Sequence, residues 1–206
     1  MVKKILVAST NRGKMAELSA MLEADVEWLT LADFDNIEEV AEDGETFEQN
    51  ARKKALGYAR ATGYWTIADD SGLVVDALDG KPGIKSARFA AETTRGKGRV
   101  VIDRENTAKV LKLMKAVADE KRTARFVCNL CLAKEHEVLI QTQGVLEGVI
   151  SEKETGENGF GYDPIFFVPE LKKTVAQLNS GEKNAISHRG KAINALKPLL
   201  AELLSK

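Results

Sequence analysis

Two adjacent carboxylates, Asp69 and Asp70, stand at the end of an apolar run within residues 67–73, which read IADDSGL. The preceding run, 64–68, is typical of a buried strand because it is short, apolar and followed by turn residues. Neighbouring strand residues point to opposite faces, so both acids can line one surface only if the Ser-Gly pair at 71–72 turns the chain. Burying an unpaired carboxylate is costly, and a metal ion facing a phosphate would account for an acid here. Two solvated acids at a strand end are the alternative.

A candidate phosphate loop follows the predicted first strand at residues 9–14, which read STNRGK. Small and hydroxylated residues, a glycine and a lysine at a strand-to-helix turn can surround a phosphate with backbone N–H groups and one positive charge. The spacing is not that of a Walker A motif. An ordinary helix start capped by Asn11 or Thr10 would read the same way.

A lysine, Lys54, lies on the predicted helix 46–61 and shares a face with Asn50, four residues earlier. Because the same face carries apolar residues, Lys54 either extends past the core or points into a polar cleft. The acidic residues before Thr46, Glu42 among them, have a simple explanation, since negative charge favours a helix N-terminus.

A glycine-rich segment, 156–168, contains three glycines within six residues, with Phe160 between two of them. Glycines let the backbone pass close to a ligand, so Phe160 is placed to stack on a base. Asp163 precedes Pro164 and is therefore held out of helical geometry. A glycine-rich turn with a buried phenylalanine is the alternative.

The last candidate segment is 183–191, in which Ser187 is a good N-cap for the final helix. His188 and Arg189 then fall in the first helical turn, where basic residues oppose the macrodipole. An electron-rich or anionic ligand would compensate for them, and loosely held surface charges are the alternative.

The elements that would position these residues alternate between strands and helices. Predicted strands cover 3–9, 64–69, 122–133, 137–149 and 164–168, and predicted helices cover 13–24, 46–61, 103–118 and 187–204. The last helix is expected to kink or restart at Pro198. The pattern predicts an α/β protein with a long mixed sheet flanked by helices, in a single domain, 1–206, with two lobes and a central substrate cleft.

Composition excludes several classes of protein. The 206 residues are 44% hydrophobic and 30% charged, yet the net charge is only -1, which argues against a general nucleic-acid or membrane-surface binder. No run is long enough to span a membrane, and the N-terminus reads as a strand rather than a signal peptide. Cys128 and Cys131 lie three apart on a predicted strand, so they are expected to be two buried, reduced thiols rather than a zinc site. We therefore expect a cytoplasmic protein.

Taken together, the segments closely resemble the inosine triphosphate pyrophosphatase family over nearly the whole chain, from Ser9 to Gly190. The most diagnostic parts are 69–73, 82–88, 159–164 and 186–189. The resemblance implies a homodimer of α/β subunits that hydrolyses ITP, dITP and XTP to the monophosphate and pyrophosphate with Mg²⁺. From the charge balance we expect no nucleic-acid or membrane partner.

The resemblance also implies roles for individual residues. Glu42 and Asp70 would hold Mg²⁺, and Asp70 would also be the base for the attacking water. Asp43 could replace Glu42, and Asp69 could share or take the role of Asp70. The phosphate loop and Lys54 would bind the triphosphate, and Phe160 would stack on the purine. The base edge would be read by Asp163, Lys183, His188 and Arg189. The residues carried over to substrate binding are Ser9, Thr10, Asn11, Arg12, Gly13, Lys14, Lys54, Ser71, Phe160, Gly161, Tyr162, Asp163, Lys183, His188 and Arg189.

Two other functions fit parts of this pattern. One is a pyrophosphatase of similar architecture that prefers modified pyrimidine nucleotides, and the other is a nucleotide sensor without turnover. Phe160 followed by the His-Arg pair argues against the first, and the retained acids argue against the second. The basic segment 91–104 receives no role from either the residues or the resemblance.

Overall fold

One mixed sheet organises the computed structural model, which describes residues 2–22 and 24–205. Its seven strands run in the order β2-β1-β3-β4-β5-β6-β7. β1 is parallel to β2 and to β3, whereas β6 is antiparallel to β5 and to β7. The predicted α/β class with a mixed sheet is therefore confirmed. The strands are β1 Lys3–Val7, β2 Val26–Thr30, β3 Trp65–Val75, β4 Thr123–Lys134, β5 Glu137–Ile150, β6 Phe166–Val168 and β7 Lys173–Thr174.

The helices begin and end where their capping residues dictate. Asn11 accepts hydrogen bonds from two backbone N–H groups at the start of α1, and Thr46 accepts one at the start of α2. Gly63 ends α2 in the left-handed conformation that glycine adopts readily. Among the described residues, no helix is both long and apolar enough to cross a bilayer. The helices are α1 Arg12–Met21, α2 Phe47–Thr62, α3 Ala91–Thr94, α4 Arg99–Met114, α5 Ser180–Ile186 and α6 His188–Leu204.

The largest difference from the sequence-based prediction is in β3, which does not turn after the two acids. The strand continues from Asp70 through Gly72 to Val75. A Cβ at position 72 would lie 2.3 Å from Ser86 Oγ and 2.8 Å from Gly83 O. The glycine therefore permits a close approach of neighbouring backbone rather than a turn, so the predicted turn was wrong.

Shorter elements also escaped prediction. β2, β7, α3 and α5 were not predicted, and α6 runs unbroken through Pro198 where a kink or restart was expected. β7 has only two residues and α3 has four, which is too short for a hydrophobic period to be visible.

The chain divides into two compact units. The first lies within Met1–Asp70, Cys128–Gly144 and His188–Lys206, and the second within Ser71–Val127 and Val145–Ser187. In the second unit, the core includes the rings of Phe126 and Phe166, which stack with centroids 4.4 Å apart.

Strand alternation gives the first unit two separate cores. Ile5 and Ile67 belong to a cluster with apolar residues of α1 and α6, whereas Leu6 and Ala68 belong to a cluster with α2. Successive residues of one strand thus pack against different helices.

The two cysteines follow the same alternation. Cys128 lies in the cluster with α1 and α6, and Cys131 lies in the cluster with α2. Both are buried and form no disulfide. The predicted pair of diverging, reduced thiols is confirmed.

Candidate active site

Asp69 and Asp70 are both buried, with 2% and 6% of their surface exposed. Because β3 stays extended, their side chains point to opposite faces of the strand. Asp69 shares its face with Ile67 of the α1/α6 core, and Asp70 shares its face with Ala68 of the α2 core. Each carboxylate therefore needs a positively charged partner on its own face of the strand.

Asp69 is surrounded by donors. Arg189 Nε lies 3.1 Å from its Oδ2, Lys14 forms an ion pair with its Oδ1, and the Cys128 thiol donates to Oδ2 at 3.1 Å. Burial alone would raise the pKa of Asp69, but the guanidinium of Arg189 and the ammonium of Lys14 outweigh it and hold that pKa well below its usual range. Asp69 is therefore ionised at neutral pH, and both of its carboxylate oxygens already have partners.

Arg189 is almost completely buried, with 1% exposure, and it also pairs with Glu17 of α1. The basic charge in the first turn of α6 is therefore compensated by two carboxylates of the protein itself. No ligand is therefore required to compensate for the charge of Arg189. Glu17 was missed at the sequence level, although it lies three residues after Lys14 and so on the same helical face.

On the other face of β3, Lys54 connects two acids. Its Nζ lies 2.7 Å from Glu42 Oε1, 2.7 Å from the Asp69 carbonyl oxygen and 3.4 Å from Asp70 Oδ1. Burial would lower the pKa of Lys54, but the carboxylates of Asp70 and Glu42 raise it above its usual value. Lys54 therefore lies among polar groups, as in the second of its two predicted placements, rather than extending past the core.

The segment that carries Glu42 is attached to α2. Asn50 is fully buried and accepts a hydrogen bond from the Gly44 N–H at 2.8 Å. Lys54, one turn later on the same helix, pairs with Glu42. α2 therefore anchors the segment that carries Glu42 and also supplies Lys54, the positive charge that pairs with it.

Asp70 differs from Asp69 in the environment of its second carboxylate oxygen. Within the described part of the chain, no group hydrogen bonds to its buried Oδ2. Burial raises the pKa of Asp70, and the nearby ammonium of Lys54 only partly opposes that shift. An unsatisfied buried acceptor of this kind is costly unless a water or a cation completes it.

The donor set around Asp70 is compatible with Mg²⁺. No cluster of three or more acids, histidines or cysteines suited to a metal occurs among residues 2–22 and 24–205. Mg²⁺ does not require one, because it is usually held by one or two carboxylates together with waters and substrate phosphates. Glu42 and Asp70 are two such carboxylates. Asp43, by contrast, is exposed and pairs with the exposed Lys53.

The predicted phosphate loop has partners within the protein. Asn11 accepts hydrogen bonds from the N–H groups of Gly13 at 3.0 Å and Lys14 at 3.2 Å, as a helix cap does. Ser9 Oγ in turn accepts from the Asn11 N–H at 3.2 Å. Thr10 and Arg12 are exposed. The role of this segment in binding a triphosphate stays a prediction.

A second cluster lies in the second unit, around the glycine-rich loop. Asp163 Oδ2 accepts hydrogen bonds from the Phe160 N–H at 2.8 Å and from Lys183 Nζ at 2.6 Å. The same ammonium lies 4.5 Å from the centre of the Phe160 ring. Asp163 and Lys183 are buried, whereas Phe160 is partly exposed. The structure thus brings together three of the residues predicted to bind the base.

The loop geometry depends on a glycine. Gly159 has a φ of +77°, and a Cβ there would lie 2.1 Å from Asp163 Oδ2. Tyr162 is buried, and its hydroxyl donates to the Ser86 carbonyl oxygen at 2.8 Å. Tyr162 therefore attaches this loop to the backbone at Ser86, and its role in substrate binding stays a prediction. Ser71 lies within β3, and His188 is a buried residue at the first position of α6.

Comparison with known proteins identifies the family. The Ham1 family model matches residues 5–199, so the chain belongs to the Ham1 family. A Bacillus anthracis protein named dITP/XTP pyrophosphatase is 49% identical over 204 residues, which cover 98% of each chain. The resemblance stated from the motifs is thereby confirmed.

Solved structures agree with this assignment. A HAM1 protein from Coxiella burnetii superposes with a TM-score of 0.86 at 39% identity, covering 98% of this chain and 100% of the other. A structure from Mycobacterium abscessus described as a nucleoside-triphosphatase, dITP/XTP pyrophosphatase, has a TM-score of 0.75 at 44% identity, covering 95% and 99%.

The charge network of Asp69 predicts a specific effect on stability. Replacing Asp69 by Asn should lower the free energy of unfolding by about 3–5 kcal/mol, because it leaves the buried guanidinium of Arg189 short of a counter-charge. Chemical denaturation at neutral pH measures the change. As a control, Asp76→Asn, which breaks an exposed ion pair with Arg125, should cost less than about 1 kcal/mol.

The pH dependence gives a second readout of the same claim. Because the folded-state pKa of Asp69 lies below the unfolded value, its contribution to stability is present above about pH 4 and is lost as the pH falls. The Asp69→Asn variant should therefore lose less stability than the wild type between neutral and acid pH. Parallel curves for the two proteins would contradict this assignment.

Proposed function

We propose that this chain is a nucleoside triphosphate pyrophosphatase that hydrolyses ITP, dITP and XTP to the monophosphate and pyrophosphate. Relatives named dITP/XTP pyrophosphatase, matching nearly the full chain, support the substrate class. The observation that carries the hydrolytic role is the buried Asp70 Oδ2, which accepts no hydrogen bond from the described residues. A carboxylate oxygen held in this way is suited to accept a proton from water.

We propose Mg²⁺ as the cofactor, held by Glu42 and Asp70. When bound, the ion would neutralise negative charge on the phosphate oxygens of the substrate. Lys54 lies between the same two carboxylates and supplies a second positive charge to the triphosphate. Burial raises the pKa of Asp70 in the metal-free protein, and a bound cation would oppose that shift and keep the carboxylate ionised, as a base requires.

Base recognition is assigned to the second cluster. Phe160 would stack on the purine, and Asp163 and Lys183, which are paired beside it, would read the base edge. The base-reading roles of His188 and Arg189 rest on the resemblance alone, and the guanidinium of Arg189 is already paired with Asp69 and Glu17. Donors that meet a 6-keto oxygen would be left unpaired by the amino group of ATP. Such a mismatch can lower the specificity constant by up to roughly 10⁴-fold.

We also propose that the protein acts as a homodimer in the cytoplasm. The family resemblance supports the dimer. The two buried thiols, neither of which is in a disulfide, are consistent with a reducing compartment.

The direct test is pyrophosphate release with Mg²⁺ from ITP, XTP, ATP, GTP and dTTP, measured separately from release of single phosphate. We expect pyrophosphate from ITP and XTP and little from the other three. A preference for dTTP would support a pyrimidine house-cleaning enzyme instead. Thermal stabilisation by ITP without hydrolysis would support a nucleotide sensor.

The metal assignment makes a prediction that separates two adjacent acids. Glu42→Gln should raise the Mg²⁺ concentration for half-maximal activity by at least about 10-fold, since even the loss of a residue that only supports a metal ligand weakens affinity by about 10- to 100-fold. Asp43→Asn, which alters only an exposed pair with Lys53, should leave that concentration unchanged. Titration of pyrophosphate release against Mg²⁺ makes the comparison. The reverse order of effects would transfer the ligand role to Asp43.

A further inference from the structure

The helix α4 contains part of the basic segment to which the sequence assigned no role, and it contacts the aromatic loop directly. Asp103 Oδ2 accepts a hydrogen bond from the Gly161 N–H at 3.3 Å, and Thr107 Oγ1 donates to the Gly161 carbonyl oxygen at 3.2 Å. Both backbone groups of the residue that follows Phe160 are therefore held by two side chains one turn apart on one helix.

This attachment matters because of what the loop lacks. Gly161 has a φ of +62° and no side chain of its own to restrain it. Phe160 on its N-terminal side is partly exposed. Within the loop, Asp163 accepts a hydrogen bond from the Phe160 N–H and donates its own N–H to the Phe160 carbonyl oxygen at 3.3 Å. Neither bond involves the N–H or the carbonyl oxygen of Gly161, and α4 supplies the bonds to both of these groups.

α4 is itself firmly anchored within the second unit. Thr107 is buried, and Asn106 beside it accepts from the Ala90 N–H at 2.7 Å and donates to the Ser86 carbonyl oxygen at 3.2 Å. Val110 and Met114, further along the helix, are fully buried in the core. The well-anchored helix α4 thus restrains the backbone of Gly161.

We propose that Asp103 and Thr107 are positioning residues that set the affinity for the purine by holding Gly161, and through it the ring of Phe160. The inference rests on the proposed function only in taking Phe160 as the surface on which the base stacks. It assigns a role to two residues of α4 for which neither the motifs nor the charge pattern predicted one.

The effect should fall on binding rather than on the chemical step. Losing one neutral hydrogen bond changes an equilibrium by between about 2- and 10-fold. Thr107→Val removes the hydroxyl at nearly constant volume, so it should raise KM for ITP by that factor and change kcat by less than about 2-fold. Thr107→Ser, which keeps the hydroxyl, should restore KM.

A matched control is available in the same unit. Thr94 is also buried, and its hydroxyl donates to the Ala90 carbonyl oxygen at 3.0 Å, away from the loop. Thr94→Val removes a hydrogen bond of the same kind and should leave KM for ITP unchanged. Equal effects of the two valine substitutions would overturn the proposal, because they would reflect a general loss of stability.

Two binding probes give a readout that does not need turnover. Calorimetry with inosine monophosphate should show the same 2- to 10-fold loss of affinity in Thr107→Val, whereas inorganic tripolyphosphate, which has no base, should bind to the variant and the wild type alike. Unchanged affinity for the monophosphate would overturn the proposal. A wild-type protein that binds inosine monophosphate but releases no pyrophosphate from ITP would refute the proposed function. The role of Asp103 and Thr107 would then be decided by the binding measurements alone.

A second variant keeps the test decisive if Thr107→Val does not fold. Asp103→Ala removes the acceptor for the Gly161 N–H, and Asp103 is partly exposed, so the substitution disturbs little of the core. Its control is Arg99→Ala, which removes the ion pair that Arg99 makes with Asp103 at 2.8 Å. We expect weaker binding of inosine monophosphate in Asp103→Ala and not in Arg99→Ala. Equal binding in both would contradict the role of Asp103.

Discussion

Two neighbouring carboxylates on one extended strand impose the central constraint on this protein. An extended backbone sends Asp69 and Asp70 to opposite faces of β3, and both are buried. A buried charge must be compensated locally. The first unit meets that demand twice, with Arg189 and Lys14 on the face packed by α6 and α1, and with Lys54 on the face packed by α2.

The two solutions are unequal, and the difference defines what each acid can do. Asp69 has donors on both oxygens and a strongly lowered pKa, so it serves to hold α1 and α6 against β3. Asp70 has one oxygen facing an ammonium at 3.4 Å, a second without a donor among the described residues, and a raised pKa. Undercompensated charge is what a site for water and a cation requires. Stability and proposed chemistry are thus divided between adjacent residues.

The sequence predicted those features that have a local cause. Alternation along one strand was enough to predict that Cys128 and Cys131 diverge, and helical spacing placed Lys54 beside the packed face of α2. The turn after Asp70 was wrong because a glycine allows close approach as well as turning, and only the neighbouring backbone at Gly83 distinguishes the two.

Features that depend on distant partners could not be predicted in this way. Arg189 is 120 residues from Asp69 and 172 from Glu17, so no window of sequence relates them. The bonds from Asp103 and Thr107 to Gly161 likewise span 58 and 54 residues. Short elements such as β7 present too few residues for a hydrophobic period.

The division between the two acids is tested most directly by Asp70→Asn, with thermal unfolding and Mg²⁺-dependent release of pyrophosphate from ITP measured on the same preparation. We expect turnover to fall by at least about 100-fold. We also expect an unfolding temperature equal to or above that of the wild type, because the amide removes a buried charge whose pKa is raised on folding. Near-normal turnover, or a large loss of stability, would contradict the assignment of Asp70 as the reactive member of the pair.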